Sequence, residues 1–209
     1  MAKARPAAEA AKLTPRGSQT RQRIIVAAAE LMFEQGVAGT TTEQVRAAAG
    51  VSSSQIYHYF ADKQALVLAV IEYQDETIVG GQEPMLAALD TMDGLRAWAD
   101  FLVEHQRRLH CRGGCPIGSL GSELAEIDSE ARVAVATAFR RWEAGIRGGL
   151  RAMHDRGELD GDPDALATAL LAGLQGALLL TQLQRDTAPL RTTLDVALAH
   201  IALLRERSG

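Results

Sequence analysis

The sequence predicts an all-α protein. Three observations lead there: alanine, the strongest helix former, supplies 36 of the 209 residues; apolar residues recur at helical spacing in segment after segment; and no stretch shows the period-two alternation of a half-buried strand. With 47% hydrophobic and 23% charged residues, the chain has the balance of a folded protein rather than a disordered one. Its length suits a small N-terminal unit joined to a larger body.

Residues 1–17 bury nothing obvious and read as a flexible basic arm closed by Thr14, Pro15, Arg16 and Gly17. The net charge is −4, yet residues 1–23 hold six Lys or Arg against one acid. A locally positive end suits either a solvated tail or an arm near phosphates. These residues also lack the continuous apolar core of a signal peptide, which points to a cytoplasmic protein.

A helix is expected from Ser18, with Ile24, Ala28, Leu31 and Met32 on one stripe and Gly36 at its end. Thr41 or Thr42 can cap a second helix and Gly50 can close it in the left-handed conformation; Ser52 or Ser53 can cap a third that ends at Phe60. Asp62 caps a longer helix through Leu66, Val70 and Ile71 toward Gly80 and Gly81. The expected units are therefore residues 18–64 and residues 65–209. In the body, a short helical stretch from Pro84 to Asp90 precedes four stronger segments, roughly 93–110, 128–156, 163–185 and 190–206. A compact loop from Cys111 to Gly118 separates the first two.

The run from Thr41 to Phe60 places two short helices around a glycine at helix-turn-helix spacing. Val45, Val51 and Ile56 supply the core between them. The second helix otherwise carries hydroxyls, an amide, an imidazole and phenols, groups that donate to phosphates or reach base edges in a major groove. The segment from Arg21 to Leu66 resembles the DNA-binding domain of the TetR/AcrR family of transcriptional regulators. The resemblance rests on Leu31-Met32-Phe33-Glu34-Gln35-Gly36, Thr41-Thr42, Ala49-Gly50-Val51-Ser52, Ile56-Tyr57-His58-Tyr59-Phe60, and Lys63 with Leu66. It implies a double-stranded DNA operator as partner, with Thr41 or Thr42, Tyr57, Tyr59 and Lys63 on phosphates. Ser53, Ser54, Gln55 and His58 would face the groove, and Arg21 and Ser52 bound the same surface. Two positions depart from the family pattern: Arg46 stands where a small residue is usual, and Ser54 where glycine is frequent. The Arg46 guanidinium either reaches a phosphate or lies solvated.

From Ala165 to Leu183 there are 19 residues without a charge, long enough for a membrane span. Thr168, Gln175, Thr181 and Gln182 interrupt it and no aromatic belt flanks it, so a buried helix against a partner is expected instead. With the stripe of the last segment it forms the expected homodimer interface: Leu170, Gly173, Leu174, Ala177, Leu178, Leu194, Leu198 and Ile201, as in the family's intersubunit bundle.

Two other segments carry large aromatics, Trp98, Phe101, Leu102, His105 and Leu109 on one and Val135, Phe139, Trp142, Ile146 and Met153 on the other. Such stripes serve as core or as cavity wall; the resemblance implies a cavity for a small-molecule effector, with Ile117 and Gln175 added to its lining. The element Gly114-Cys115-Pro116-Ile117-Gly118 resembles one found in a branch of the family near the LmrA and YxaF regulators, which implies a drug-like or aromatic effector that releases a repressor from a palindromic operator. Cys111 and Cys115, with His105 and His110 nearby, leave open a thiol- or metal-responsive regulator, although His105 and His110 would not share a helix face. A non-specific architectural DNA binder is a further alternative. No nucleophile elbow, phosphate loop, metal helix motif or carboxylate pair points to an enzyme, and no cofactor or metal is expected.

Overall fold

The computed structural model describes residues 14–206, all-α with no strand among them. Most of the basic arm expected over residues 1–17 lies outside the described residues, but its last part is helical. Thr14 accepts from the Gly17 N–H at 3.1 Å and Pro15 opens α1, Pro15–Gly39. Thr-Pro is therefore a capped start rather than a breaker: proline at the first helical position has no N–H to lose and its φ is already helical. Regular helix in α1 is interrupted at Gly36 (φ 78°, ψ 165°).

Helices α2 (Thr42–Ala49), α3 (Ser53–Tyr59) and α4 (Lys63–Ile78) follow, each with a side-chain cap, Thr41, Ser52 and Asp62 respectively. Val45, Val51, Ile56 and Phe60 are buried among Ile24, Ala28 and Leu66, giving the N-terminal unit its own core. α4 packs on both α1 and the body helix α8 (Ser129–Asp155). There Arg141 of α8 pairs with Asp75 and Glu76 of α4 at 3.2 and 3.0 Å, and with Glu83 at 2.6 Å. These carboxylates, Glu83 foremost, hold the guanidinium pKa above its ordinary value.

A 3-10 turn at Gly80–Gln82 and α5 (Glu83–Leu86) lead to α6 (Met92–Arg108). The body then holds a helix that begins inside the loop expected from Cys111 to Gly118, α7, Pro116–Leu124. The Cys115 thiol caps it by accepting from the Gly118 N–H at 3.4 Å, Pro116 occupies its first turn, and Ile117, Leu120 and Leu124 form its buried face. Gly118 and Gly121 masked its periodicity, because glycine counts against a helix wherever propensity is the only guide.

α9 (Pro163–Gln184) and α10 (Ala188–Glu206) close the body, packed on α8, on α6 and on each other. Their apolar residues divide in a way the sequence reading did not anticipate. Leu170, Leu174, Ala177, Leu178, Leu194, Leu198 and Ile201, expected at a dimer interface, are buried within the protomer. Gly173 is half-buried, with Thr193 of α10 facing it. The apolar side chains left outward are instead Leu179, Leu180 and Leu183 on α9 and Val196 and Leu203 on α10. A helix apolar on all sides gives no signal of which side meets its own chain.

Candidate nucleic-acid interface and effector cavity

The helix-turn-helix is built from reciprocal caps. Thr41 Oγ1 accepts from the Gln44 N–H at 3.2 Å while Gln44 Oε1 accepts from the Thr41 N–H at 2.8 Å; Ser52 and Gln55 repeat the arrangement at 3.3 and 2.9 Å. Each box pairs two backbone donors that a helix start leaves orphaned. Between them Gly50 sits at φ 62°, ψ 44°, the left-handed turn in which a side chain is strained.

Ile56 and Phe60 turn inward, so Ser53, Ser54, Tyr57 and His58 remain exposed on the outer side of α3, as two i, i+4 rows. Tyr57 is 62% exposed and lies between two buried neighbours in the motif's sequence pattern, Ile56 and Phe60. No acidic residue interrupts the segment from Ser52 to Phe60.

Several residues expected on this surface are engaged elsewhere. The Thr41 hydroxyl belongs to the cap and also donates to Gln44 Oε1 at 2.9 Å, leaving Thr42 as the second-helix hydroxyl without such a tie. Gln55 Oε1 is held by Ser52, so only its NH₂ end is left unengaged. Tyr59 is half-buried against the core with His58 edge-on to its ring at 4.9 Å. Arg21 lies over the Phe60 ring at 5.4 Å, joining α1 to the end of α3. Lys63 Nζ donates to the Val37 carbonyl at 2.6 Å. Arg46 pairs with Glu43 at 2.7 Å, so the larger residue lies along its own helix rather than between helices.

Under this unit lies a cavity of about 340 Å³. Phe33 of α1, Gln74, Thr77 and Ile78 of α4, Gln82, the α6 residues Phe101, Leu102, His105, Gln106 and Leu109, the Gly114–Pro116 segment, Trp142 of α8 and Leu178 of α9 line it. Phe101, Leu102, His105, Leu109 and Trp142, expected in such a lining, are among these residues. The other five do not line it. Trp98, Ile117 and Ile146 are fully buried core; Trp98 Nε1 donates to Gln82 Oε1 at 2.8 Å. Phe139 is half-buried against the core, and Gln175 lies behind the loop, beside Gly118 and the Cys115 thiol. Gln106 was missed although it continues the Leu102, Gln106, Leu109 spacing of the same stripe. Phe33 was missed because nothing local ties α1 to the body.

Burial pushes the Cys115 thiol pKa up, against smaller opposing pulls from the Gly118 and Ile117 N–H groups and the Gln175 amide. A thiol held protonated is a poor nucleophile and a poor redox sensor. Both cysteines are free, and no group of three or more His, Cys, Asp or Glu side chains among the described residues could hold a metal.

The cavity and the helix-turn-helix share two ties. Phe33 packs so closely on Gly113, at φ 83°, that a Cβ there would overlap the ring. At the far end of α7, the Glu123 carboxylate accepts from the Val37 N–H at 2.8 Å and the Ala38 N–H at 2.6 Å, in the turn that leads into α2.

Two family models match the chain. Residues 24–70 match the model for bacterial regulatory proteins of the tetR family and residues 91–197 the tetracyclin repressor-like C-terminal domain. Transcriptional regulator AcuR of Cereibacter sphaeroides is 31% identical over 182 residues, 85% of this chain and 83% of its own. The HTH-type transcriptional regulator LmrA of Bacillus subtilis is 26% identical over 176 residues, 82% of this chain and 90% of its own. Among solved structures, regulatory protein TetR from Rhodobacter sphaeroides matches with a TM-score of 0.75 at 30% identity, covering 87% of this chain and 98% of that one. The chain belongs to the tetR family of bacterial regulatory proteins and is a DNA-binding regulator of transcription.

Proposed function

We propose that the protein is a cytoplasmic, homodimeric repressor that occupies a palindromic operator and is released when an apolar or aromatic small molecule fills the cavity beneath the helix-turn-helix. On this reading Ser53, Ser54, His58 and the NH₂ end of Gln55 read base edges, while Thr42, Tyr57 and the two N–H groups that Lys63 does not give to the Val37 carbonyl hold phosphates. The homodimer presents two such helices to the half-sites, joined through the outward apolar residues of α9 and α10.

The observation that carries this reading is that Phe33, a residue of the DNA-binding unit's own first helix, forms part of the cavity wall. A molecule in the cavity therefore touches that unit directly. Release requires that the effector bind the operator-incompetent arrangement more tightly than the competent one. Moving Phe33 or the Pro116 end of α7 is the differential contact available to it.

Gel shifts with DNA from upstream of the protein's own gene and its neighbours, run at several salt concentrations, test the first half. One sequence-specific, salt-sensitive complex is expected. Failure to prefer any fragment over random DNA would mark a non-specific architectural binder. A thermal-shift screen of small molecules, followed by gel shifts with each hit, tests the second half.

A further inference from the structure

The cavity wall is apolar except at a few points, and two of these are buried and unpaired. Gln106 is 4% exposed and Trp142 is 2% exposed; both line the cavity, and neither Gln106 Oε1 nor Trp142 Nε1 has a hydrogen-bond partner. The neighbouring glutamine and tryptophan differ. Trp98 Nε1 donates to Gln82 Oε1, and Gln82 Nε2 donates to the Ile78 carbonyl, both at 2.8 Å, so that pair is complete. One Trp–Gln pair closes on itself, while a donor and an acceptor on two other residues of the cavity wall, Trp142 and Gln106, are buried without partners. A buried polar atom without a partner is destabilising, and native proteins retain few of them.

The charge of the lining is equally informative. No Asp, Glu, Lys or Arg lines the cavity, and its imidazole, His105, is on the exposed side, stacked at 6.0 Å on Phe101. A carboxylate or ammonium drawn inside would lose its water and gain no opposite charge. A hydrocarbon would fit the walls but leave both polar atoms orphaned.

Resting on the reading of this cavity as the effector site, we infer that the effector is an uncharged, largely apolar molecule bearing one acceptor for the Trp142 N–H and one donor for Gln106 Oε1. An aromatic carboxamide is the simplest such chemistry. Gln106 and Trp142 then determine specificity: a site built to hydrogen-bond its ligand discriminates against an analogue lacking the group far more sharply than apolar walls can.

The experiment is isothermal titration calorimetry of the full-length protein with 2-naphthamide, 2-naphthoate and naphthalene. The amide should bind at least about tenfold more tightly than either of the others and should release operator DNA. Trp142→Phe and Gln106→Leu should each lose about tenfold in amide affinity and retain naphthalene. Gln106→Leu should also melt no lower than the parent without ligand, because it removes an unpaired atom; Gln106→Met repeats both measurements if the leucine variant does not fold. Tightest binding of the naphthoate, an amide preference that survives in both variants, or a clear fall in melting temperature for both Gln106 variants overturns the inference. Naphthalene binding with no advantage for the amide refutes this ligand class and leaves the effector cavity standing. No binding of any probe refutes the cavity reading itself.

Discussion

At the scale of single residues, exposure separates those that hold the fold from those free to bind. Tyr57 is 62% exposed while Ile56 beside it is buried, so the phenol contributes little to the core. Tyr57→Ala should leave unfolding within about 0.5 kcal/mol of the parent, the range of an ordinary surface substitution. It should weaken operator binding by about 1–3 kcal/mol in fluorescence anisotropy at fixed salt. Unchanged binding would remove Tyr57 from the DNA surface. Gly50 tests the opposite case. A Cβ there meets nothing within 4 Å, so Gly50→Ala adds backbone strain alone, and chemical denaturation should register a loss of about 1 kcal/mol. Caps and turn residues of this kind were legible in the sequence because they act over three or four residues. Thr41, Gly50, Ser52 and Asp62 all occupy the expected roles. Engagement was not legible: that Gln55 Oε1 serves its own cap and Lys63 serves Val37 depends on rotamers, which residue type does not specify.

At the scale of elements, α7 joins the cavity wall to the turn ahead of α2. Its first residue, Pro116, is in the cavity wall, and Glu123, near its last, holds the backbone of the turn ahead of α2. Nine residues of helix span about 13 Å, so a displacement at one end is carried to the other with little slack. Glu123→Ala removes two charge-assisted bonds and leaves the buried Val37 amide without its acceptor. The loss of stability should be about 1–3 kcal/mol. Hydrogen exchange at the Val37 and Ala38 amides should quicken, and operator binding should respond less to a cavity ligand. Glu123→Gln, which keeps an acceptor oxygen, should fall between. Exchange at these two amides unchanged by either variant would show that the contact does not hold the turn. The sequence could not disclose this link. Gly118 and Gly121 hid the helix, and a contact between residues 86 apart leaves no periodic trace. The α1–α4 unit was legible because its signals are local, and α8 to α10 because their apolar periods are long.

At the scale of the whole molecule, α9 and α10 turn one side into the protomer and leave apolar residues on the other. Their inward side is already complete within the protomer: Leu174 and Leu194 are fully buried. Leu183 at 70%, Val196 at 65% and Leu203 at 58% exposure lie on the other side, with Ala172, Gly176 and Leu179 continuing the Leu183 row along α9. The charge-free run from Ala165 to Leu183 made burial expected but not its direction, and the residues expected at the interface are ones the protomer's own core takes up. Exposed apolar side chains along two neighbouring helices suit a partner, and in the proposed homodimer two-fold pairing would cover them on both copies. Leu183→Asp combined with Leu203→Asp should therefore convert a dimer to a monomer in sedimentation velocity while keeping the helical circular dichroism of the parent. Operator affinity should collapse in the same variant although every DNA-facing residue is intact, because two separate heads no longer share one site. Leu194→Asp is the control: it places a charge in the protomer's own core and should unfold the body rather than dissociate it. A double variant that stays dimeric would relocate the interface away from these two helices.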